Sequence, residues 1–323
     1  MMSNIVESVF CTLTVRQMLC RPVHRESFLM VSRYFTGIFS VAAMLLVTSS
    51  GFAQESLAWK FTNGESLKYV VQQSTQMEMD LNGQKQTMTM NQTMDMAWKI
   101  ATVESNGDAK MAQVVDRVQF KSEGGPFGSV QFDSSSSEVV DSPLVKSMAE
   151  VFKKIVGQEF GVTMQPTGKV QQVTVPPSLL KALTDSGAAG SAMNEDTLKQ
   201  MMTQSAVTLP AGPIKPGDSW ESNQKVELPF GTMTVASVLT YEGTENGMAK
   251  IVMQPKIDVK PKEGAPITLT MKKSEGKGTV MFDVAKGRIA KSDLDLTMDL
   301  QVKQFGTQIQ QTLRQKTSMV LAE

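Results

Sequence analysis

Residues 77–96, MEMDLNGQKQTMTMNQTMDM, carry six methionines as three Met-x-Met pairs around a central Asn82-Gly83. Just upstream, Leu67, Tyr69, Val71, Met77, Met79 and Leu81 alternate with polar Lys68, Gln72, Ser74, Gln76, Glu78 and Asp80. Successive side chains of an extended chain point to opposite sides, so this period of two describes a strand with one buried face. Asn-Gly accepts the positive φ of a two-residue hairpin turn. Folding back across it sets Met77 against Met88 on the apolar face and Asp80 against Lys85 on the polar one. Hydrophobic pattern and charge thus agree on one register.

The return strand keeps Met88, Met90, Met94, Met96, Trp98 and Ile100 on one parity until a second Asn-Gly, Asn106-Gly107. A three-residue loop there pairs Ile100 with Ala112, Trp98 with Val114 and Met94 with Val118. The same device at Asn246-Gly247 pairs Tyr241 with Ile251, Leu239 with Met253 and Val235 with Ile257. Ala290, Leu294, Leu296, Met298, Leu300 and Val302 continue the pattern near the C-terminus, followed by a last strand through Ile309, Leu313, Met319 and Leu321. Strands this long twist and curl. The expected class is mainly β (α+β): a long curved antiparallel sheet, half-barrel or open barrel, with a few mid-chain helices packed on it.

The clearest helix is DSPLVKSMAEVFKKIVG, with Ser142 as N-cap, Pro143 in the first turn and Gly157 beyond the end. Shorter ones are expected at Ser178–Leu183 and Glu195–Gln204, with SGAAGSA as a loop between them. Three short echoes, such as VESNGDAKMAQVV and GTENGMAKIVMQP, suggest two related halves, 54–205 and 206–323, either as separate domains or as one continuous sheet.

The N-terminus reads as a signal peptide over 30–53: Arg33, an apolar run from Phe35 to Val47, then small residues Gly51 and Ala53 before Gln54. Residues 1–29 read as a start-site error or an extended leader. The run is too short for a transmembrane segment. Export to the periplasm or outside the cell is expected, and without a cysteine at 54 the protein is not expected to be a lipoprotein. Cys11, Cys20 and His24 all precede the cleavage point, so the mature chain has neither Cys nor His.

That absence removes disulfides, structural zinc, Ser-His-Asp and Cys-His hydrolases and His- or Cys-held haem. No glycine-rich phosphate loop is present. Removing the leader leaves 28 basic and 30 acidic residues, so no field gathers nucleic acid. A non-enzymatic protein is expected, with no catalytic residue, no metal site and no cofactor; a carboxylate hydrolase has no residue pair to nominate.

Met-x-Met projects both sulfurs to one face, so Met77, Met79, Met88 and Met90 could surround Cu(I). They share the parity of Val71, Leu81, Trp98 and Ile100, however, which is what a buried face requires. Methionine is also flexible and polarizable, and a face lined with it repacks around varied apolar guests. The candidate ligand-binding residues are therefore Met77, Met79, Met88, Met90, Met94, Met96 and Trp98. The row Asp293, Asp295 and Asp299 is a solvated strand face rather than a calcium site, and Trp59 and Trp220 are better core plugs than sugar platforms.

FTNGESLKY (61–69), VQFDS (130–134) and LPAGPIKPGDSW (209–220) resemble an uncharacterised family of exported β-rich proteins from planctomycete-type bacteria, a domain of unknown function. The resemblance implies export and a β-rich fold and transfers no activity. The curved strands with a mid-chain helix also look like the half-barrel carriers of lipoproteins or lipids in periplasms, a fold-level likeness only. The expected function is the binding of an apolar ligand or lipid in a Met-lined concave sheet. The alternative is a structural or interaction protein of the cell envelope with an envelope protein as partner.

Overall fold

Alternation of buried and exposed side chains runs through twelve strands of the computed structural model. It describes residues 54–322 apart from 82, 125–127, 137–148, 150, 151, 185–194, 196–198, 200, 201, 203–206, 229, 266, 305 and 306. The strands are β1 (Ser66–Leu81), β2 (Gln84–Val103), β3 (Ala109–Gly124), β4 (Val130–Asp133), β5 (Glu159–Met164) and β6 (Val170–Thr174), then helix α1 (Pro177–Thr184). β7 (Ser219–Leu228), β8 (Gly231–Glu245), β9 (Met248–Pro261), β10 (Ile267–Asp283), β11 (Arg288–Gln304) and β12 (Thr307–Ala322) follow. All pairings are antiparallel, in the order β6-β5-β3-β2-β1-β12-β11-β10-β9-β8-β7, with β4 beside β3. The sheet is not closed. A strand of 16 residues runs about 50 Å at ~3.3 Å per residue.

The first hairpin has the expected register, Met77↔Met88 and Asp80↔Lys85, with Gly83 at φ +86° and its N–H donating to Asp80 Oδ1 at 2.7 Å. At Asn246-Gly247 the three expected pairs are also present, but by a different route. Asn246 and Gly247 both have positive φ in a two-residue turn, and a bulge between Tyr241 and Gly243 restores the offset. The β2–β3 hairpin corrects the sequence reading. Val103↔Ala109 and Met94↔Val118 keep its offset, but bulges near Ala101 and Asp116 slip the stretch between them by one residue. Ile100 therefore faces Met111 rather than Ala112, and Trp98 faces Gln113 rather than Val114. A one-residue slip exchanges the faces of a strand, so Met111 reaches the interior.

Curling brings distant strands into shared clusters. One joins Leu67 and Tyr69 of β1, Trp98 of β2, Val170 of β6, Tyr241 of β8 and Phe282 of β10. Segment 55–61 plugs this end: the Trp59 ring lies 5.6 Å from Trp98 and edge-on to Phe282 at 5.8 Å. Backbone bonds tie the plug to three turns, from Trp59 N–H to Pro166 O, Lys60 N–H to Gly287 O, and in both directions between Glu55 and Ile214. A second cluster, toward the β1–β2 and β7–β8 turns, joins Met77, Val226, Met233, Ile257, Leu269, Met298 and Leu313. A third, smaller one holds Phe120 and Phe132 under Ala149 and Phe152.

Of the long expected helix, positions 152–155 are helical and Gly157 has φ +78°, as a helix-terminating glycine should; residues 142–148 lie outside the described residues. Helix α1 starts at Pro177 and covers the second expected helix. The third is described only at 195, 199 and 202, all helical. The signal peptide and the SGAAGSA loop lie outside the described residues.

Candidate functional site

Among the described residues the inner face of the sheet carries no Lys, Arg, Asp or Glu on β1, β2 or β7–β12; those residues alternate onto the outer face or stand at strand ends and turns. What lines the interior changes along the strands. At the plugged end it is aromatic and aliphatic. At the far end partly buried Met79, Met88 and Met271 rim the second cluster, and Met90, Val235 and Leu294 flank it level with Thr75, Gln224 and Thr317.

The seven sequence-nominated residues do not form one site. Met77, 2% exposed, is inside the second cluster, with Met79, Met88 and Met90 packed against it and Met90 also touching the third. Trp98 belongs to the first cluster and Met96 packs on it. Met94, paired with Val71 and Val118, is half-buried between the two groups. Among the described residues no three of His, Cys, Asp and Glu gather as a metal-binding group.

Between the two apolar clusters the interior becomes polar. On β1, Gln73 and Thr75 separate Tyr69 from Met77; on β7, Ser222 and Gln224 separate Trp220 from Val226; on β12, Gln315 and Thr317 separate Leu313 from Met319. Each glutamine donates to the hydroxyl two residues away on its own strand: Gln73 Nε2 to Thr75 Oγ1 at 3.4 Å, Gln224 Nε2 to Ser222 Oγ at 3.3 Å, Gln315 Nε2 to Thr317 Oγ1 at 3.0 Å. Gln224 is 1% exposed and Gln315 3%. Their Oε1 atoms, with the indole nitrogens of Trp59 and Trp98, are the buried side-chain polar atoms that find no hydrogen-bond partner among the described residues. Buried polar groups are normally paired, so these oxygens stand out. Sequence reasoning passed over this waist because it followed the methionines. The available signal was a Gln and a Ser or Thr two apart on an apolar parity, in QST, SNQ and QKT.

On β9 and β10 the waist is built of Pro255 and Gly276. Pro255 has no N–H for a ladder, and the next inward residue, Ile257, donates its N–H to Ser274 Oγ at 2.9 Å. A Cβ on Gly276 would stand 2.5 Å from Pro255 Cγ and 2.6 Å from Leu296 Cδ2. Outside this seam lies an open depression of about 440 Å³ bordered by Asn223, Val238, Gln254, Lys256 and Glu275.

Near the plug, Glu65 pairs with Arg288 Nη1 at 2.6 Å, both largely covered. Burial pushes the Tyr69 hydroxyl above the usual phenol range while it donates to Ile289 O at 3.3 Å. Tyr241 is raised too, by burial and then by its hydrogen bond with Glu55.

The model of DUF6263, a family of unknown function, matches residues 106–289, more than half of this sequence. The chain belongs to that family. The resemblance read in the sequence is met at the level of a DUF6263 domain, which fixes no chemistry. No curated protein matches the sequence. Among solved structures, one of lipid–protein interactions in lipovitellin is 12% identical and covers 82% of this chain at a TM-score of 0.42; the chain spans 26% of that protein's length. An outer membrane channel from Pseudomonas putida F1 is 7% identical, covering 82% of this chain and 97% of its own, at 0.26. A DUF1329 family protein from Desulfovibrio piger ATCC 29098 is 9% identical, covering 76% and 83%, at 0.13. Scores this low leave the chemistry to be argued from the chain's own residues.

Proposed function

We propose that this protein is an exported, non-enzymatic carrier that holds an apolar ligand within its curled sheet. The observation that carries the reading is the asymmetry of an uncharged interior: aromatic rings and a backbone-tied plug close one end, and half-buried methionines rim the other. Methionine has three rotatable bonds and a polarizable sulfur, so such a rim repacks around a guest at small cost. Met79, Met88 and Met271 are the residues a ligand meets first; Met90 and Met94 line its path, while Met77, Met96 and Trp98 belong to the packed walls. Stripped of co-purifying lipid, the protein is expected to bind an environment-sensitive hydrophobic probe with one-to-one stoichiometry and to release it to a lipid extract. A titration that stays flat on folded protein removes the carrier.

The open sheet supports a second reading, an interaction protein of the envelope. Among the described residues β7 pairs only with β8 and is 10 residues long, which leaves one edge able to accept a partner strand. Crosslinking in intact cells that recovers one defined envelope protein and no lipid would favour it.

A further inference from the structure

The buried amides of β7 and β12 bear on what kind of guest the interior takes. Val226 and Leu313 meet in one apolar cluster, so these two strands, five places apart in the sheet, face the same part of the interior. Gln224 and Gln315 are the next inward residues on each, both facing away from water and both carrying an amide oxygen without a donor among the described residues. Turning either amide end for end leaves its nitrogen unpartnered instead, so one polar atom per glutamine is unserved in either orientation. Two such groups side by side with a greasy cluster are costly in an empty interior and useful in one that receives a polar atom at that depth.

The charge pattern narrows the choice. Among the described residues, inward positions of β1, β2 and β7–β12 hold no Lys or Arg that could neutralise a carboxylate or phosphate, and no Asp or Glu that could neutralise an amine. An ionised headgroup brought to this depth would lose its hydration and gain no counter-charge. A hydroxyl, donor and acceptor at once, meets an amide in either orientation. An alkane satisfies neither glutamine.

We infer, on the strength of the carrier reading above, that the interior selects a neutral, hydroxyl-bearing amphiphile, its hydroxyl held at the waist by Gln224 and Gln315 and its chain among the residues of the methionine-rimmed cluster. Thr75 and Thr317 turn further hydroxyls to the same band.

The test is displacement of a bound polarity-sensitive fluorophore from the full mature protein by hexadecane, hexadecanol and palmitate, all below their aggregation limits. Hexadecanol is expected to displace it at about tenfold lower concentration than either of the others, as one buried hydrogen-bonding group satisfied or not would give. In the Gln224→Leu, Gln315→Leu double variant that advantage disappears while hexadecane displaces as before, which also reports that the variant is folded. Hexadecanol no better than hexadecane, palmitate the strongest ligand, or a double variant that keeps the alcohol preference each overturns the inference and leaves the carrier standing. If the fluorophore does not bind folded wild-type protein, the carrier reading fails, and this inference with it. Should the double variant not fold, the ranking of the three ligands on the wild type decides alone.

Discussion

Met77 and Met79 have the same side chain, two positions apart on one face of β1, yet burial separates them. Met77 is enclosed by the second cluster and Met79 only packs against it. Met77→Ala is therefore expected to lower stability by about 2–5 kcal/mol, the range for a buried methionine, and Met79→Ala by distinctly less. Urea denaturation of the two variants measures the difference; equal losses would mean the rim is as closed as the core. Tyr69 gives a pH signature. Its folded pKa is raised by burial, so the neutral phenol lends stability in full below the ordinary tyrosine value of about 10 and loses it as pH rises beyond. Tyr241 acts in the same direction. Unfolding free energy should fall between about pH 9.5 and pH 11.5, and less steeply in Tyr69→Phe, which has no proton to lose.

At the scale of elements, the β9–β10 seam and the β3–β4 contact are the informative junctions. At Gly276, which faces inward, Pro255 and Leu296 leave no room for a methyl. Gly276→Ala is expected to cost about 1–3 kcal/mol by overpacking, read as a drop in denaturation midpoint; an unchanged midpoint would mean the seam relaxes freely. Strand β4 has four residues and is held to β3 by the fork of Arg117, whose Nε donates to Asp133 Oδ1 at 3.1 Å. That guanidinium keeps the Asp133 carboxyl well below the usual range, with Ser135 and Gln119 adding donors. The lowered pKa means the tether is complete above about pH 4 and is lost as pH falls further. Hydrogen exchange at β4 should quicken in Arg117→Ala at neutral pH, with little change at β11. Protection that is unaltered would assign the anchoring of β4 to Phe132 stacked on Phe152 instead.

On the scale of the whole molecule, β1 pairs with β12 over thirteen positions, so strands from both sides of residue 205 share one sheet and one interior. Unfolding is expected to be a single transition, with tryptophan fluorescence and far-ultraviolet dichroism coincident, because the plug carrying Trp59 touches turns from both sides. Two separated transitions would show that each half keeps its own stability. Much of this architecture was readable from the chain. Period-two patterning marked β1, β2, β8, β9, β11 and β12 and their greasy faces, while β4, β5, β6 and β10 were not read, and Asn-Gly set two of the three hairpin registers, because both signals are local. The β2–β3 slip was not readable: two compensating bulges return the register to its expected value at Met94, and no residue type at Ala101 or Asp116 demands one.

The candidate site divides the same way. The methionine-lined wall was visible in the sequence, because side-chain parity depends only on neighbours along the strand. Its partition between a packed cluster, a half-open rim and an aromatic plug was not, since that depends on which strands meet after the sheet curls. The polar waist lay in between: Gln73, Gln224 and Gln315 sit on apolar parities in plain view, but a glutamine on a strand is ordinary until burial is known. By itself the sequence determined a long two-faced antiparallel sheet with an uncharged inner surface. Only the tertiary structure decided that β7 and β12 meet in one interior cluster and that their glutamine amide oxygens are buried beside it without partners among the described residues, because burial and hydrogen-bond satisfaction are properties of the folded assembly and not of any one strand.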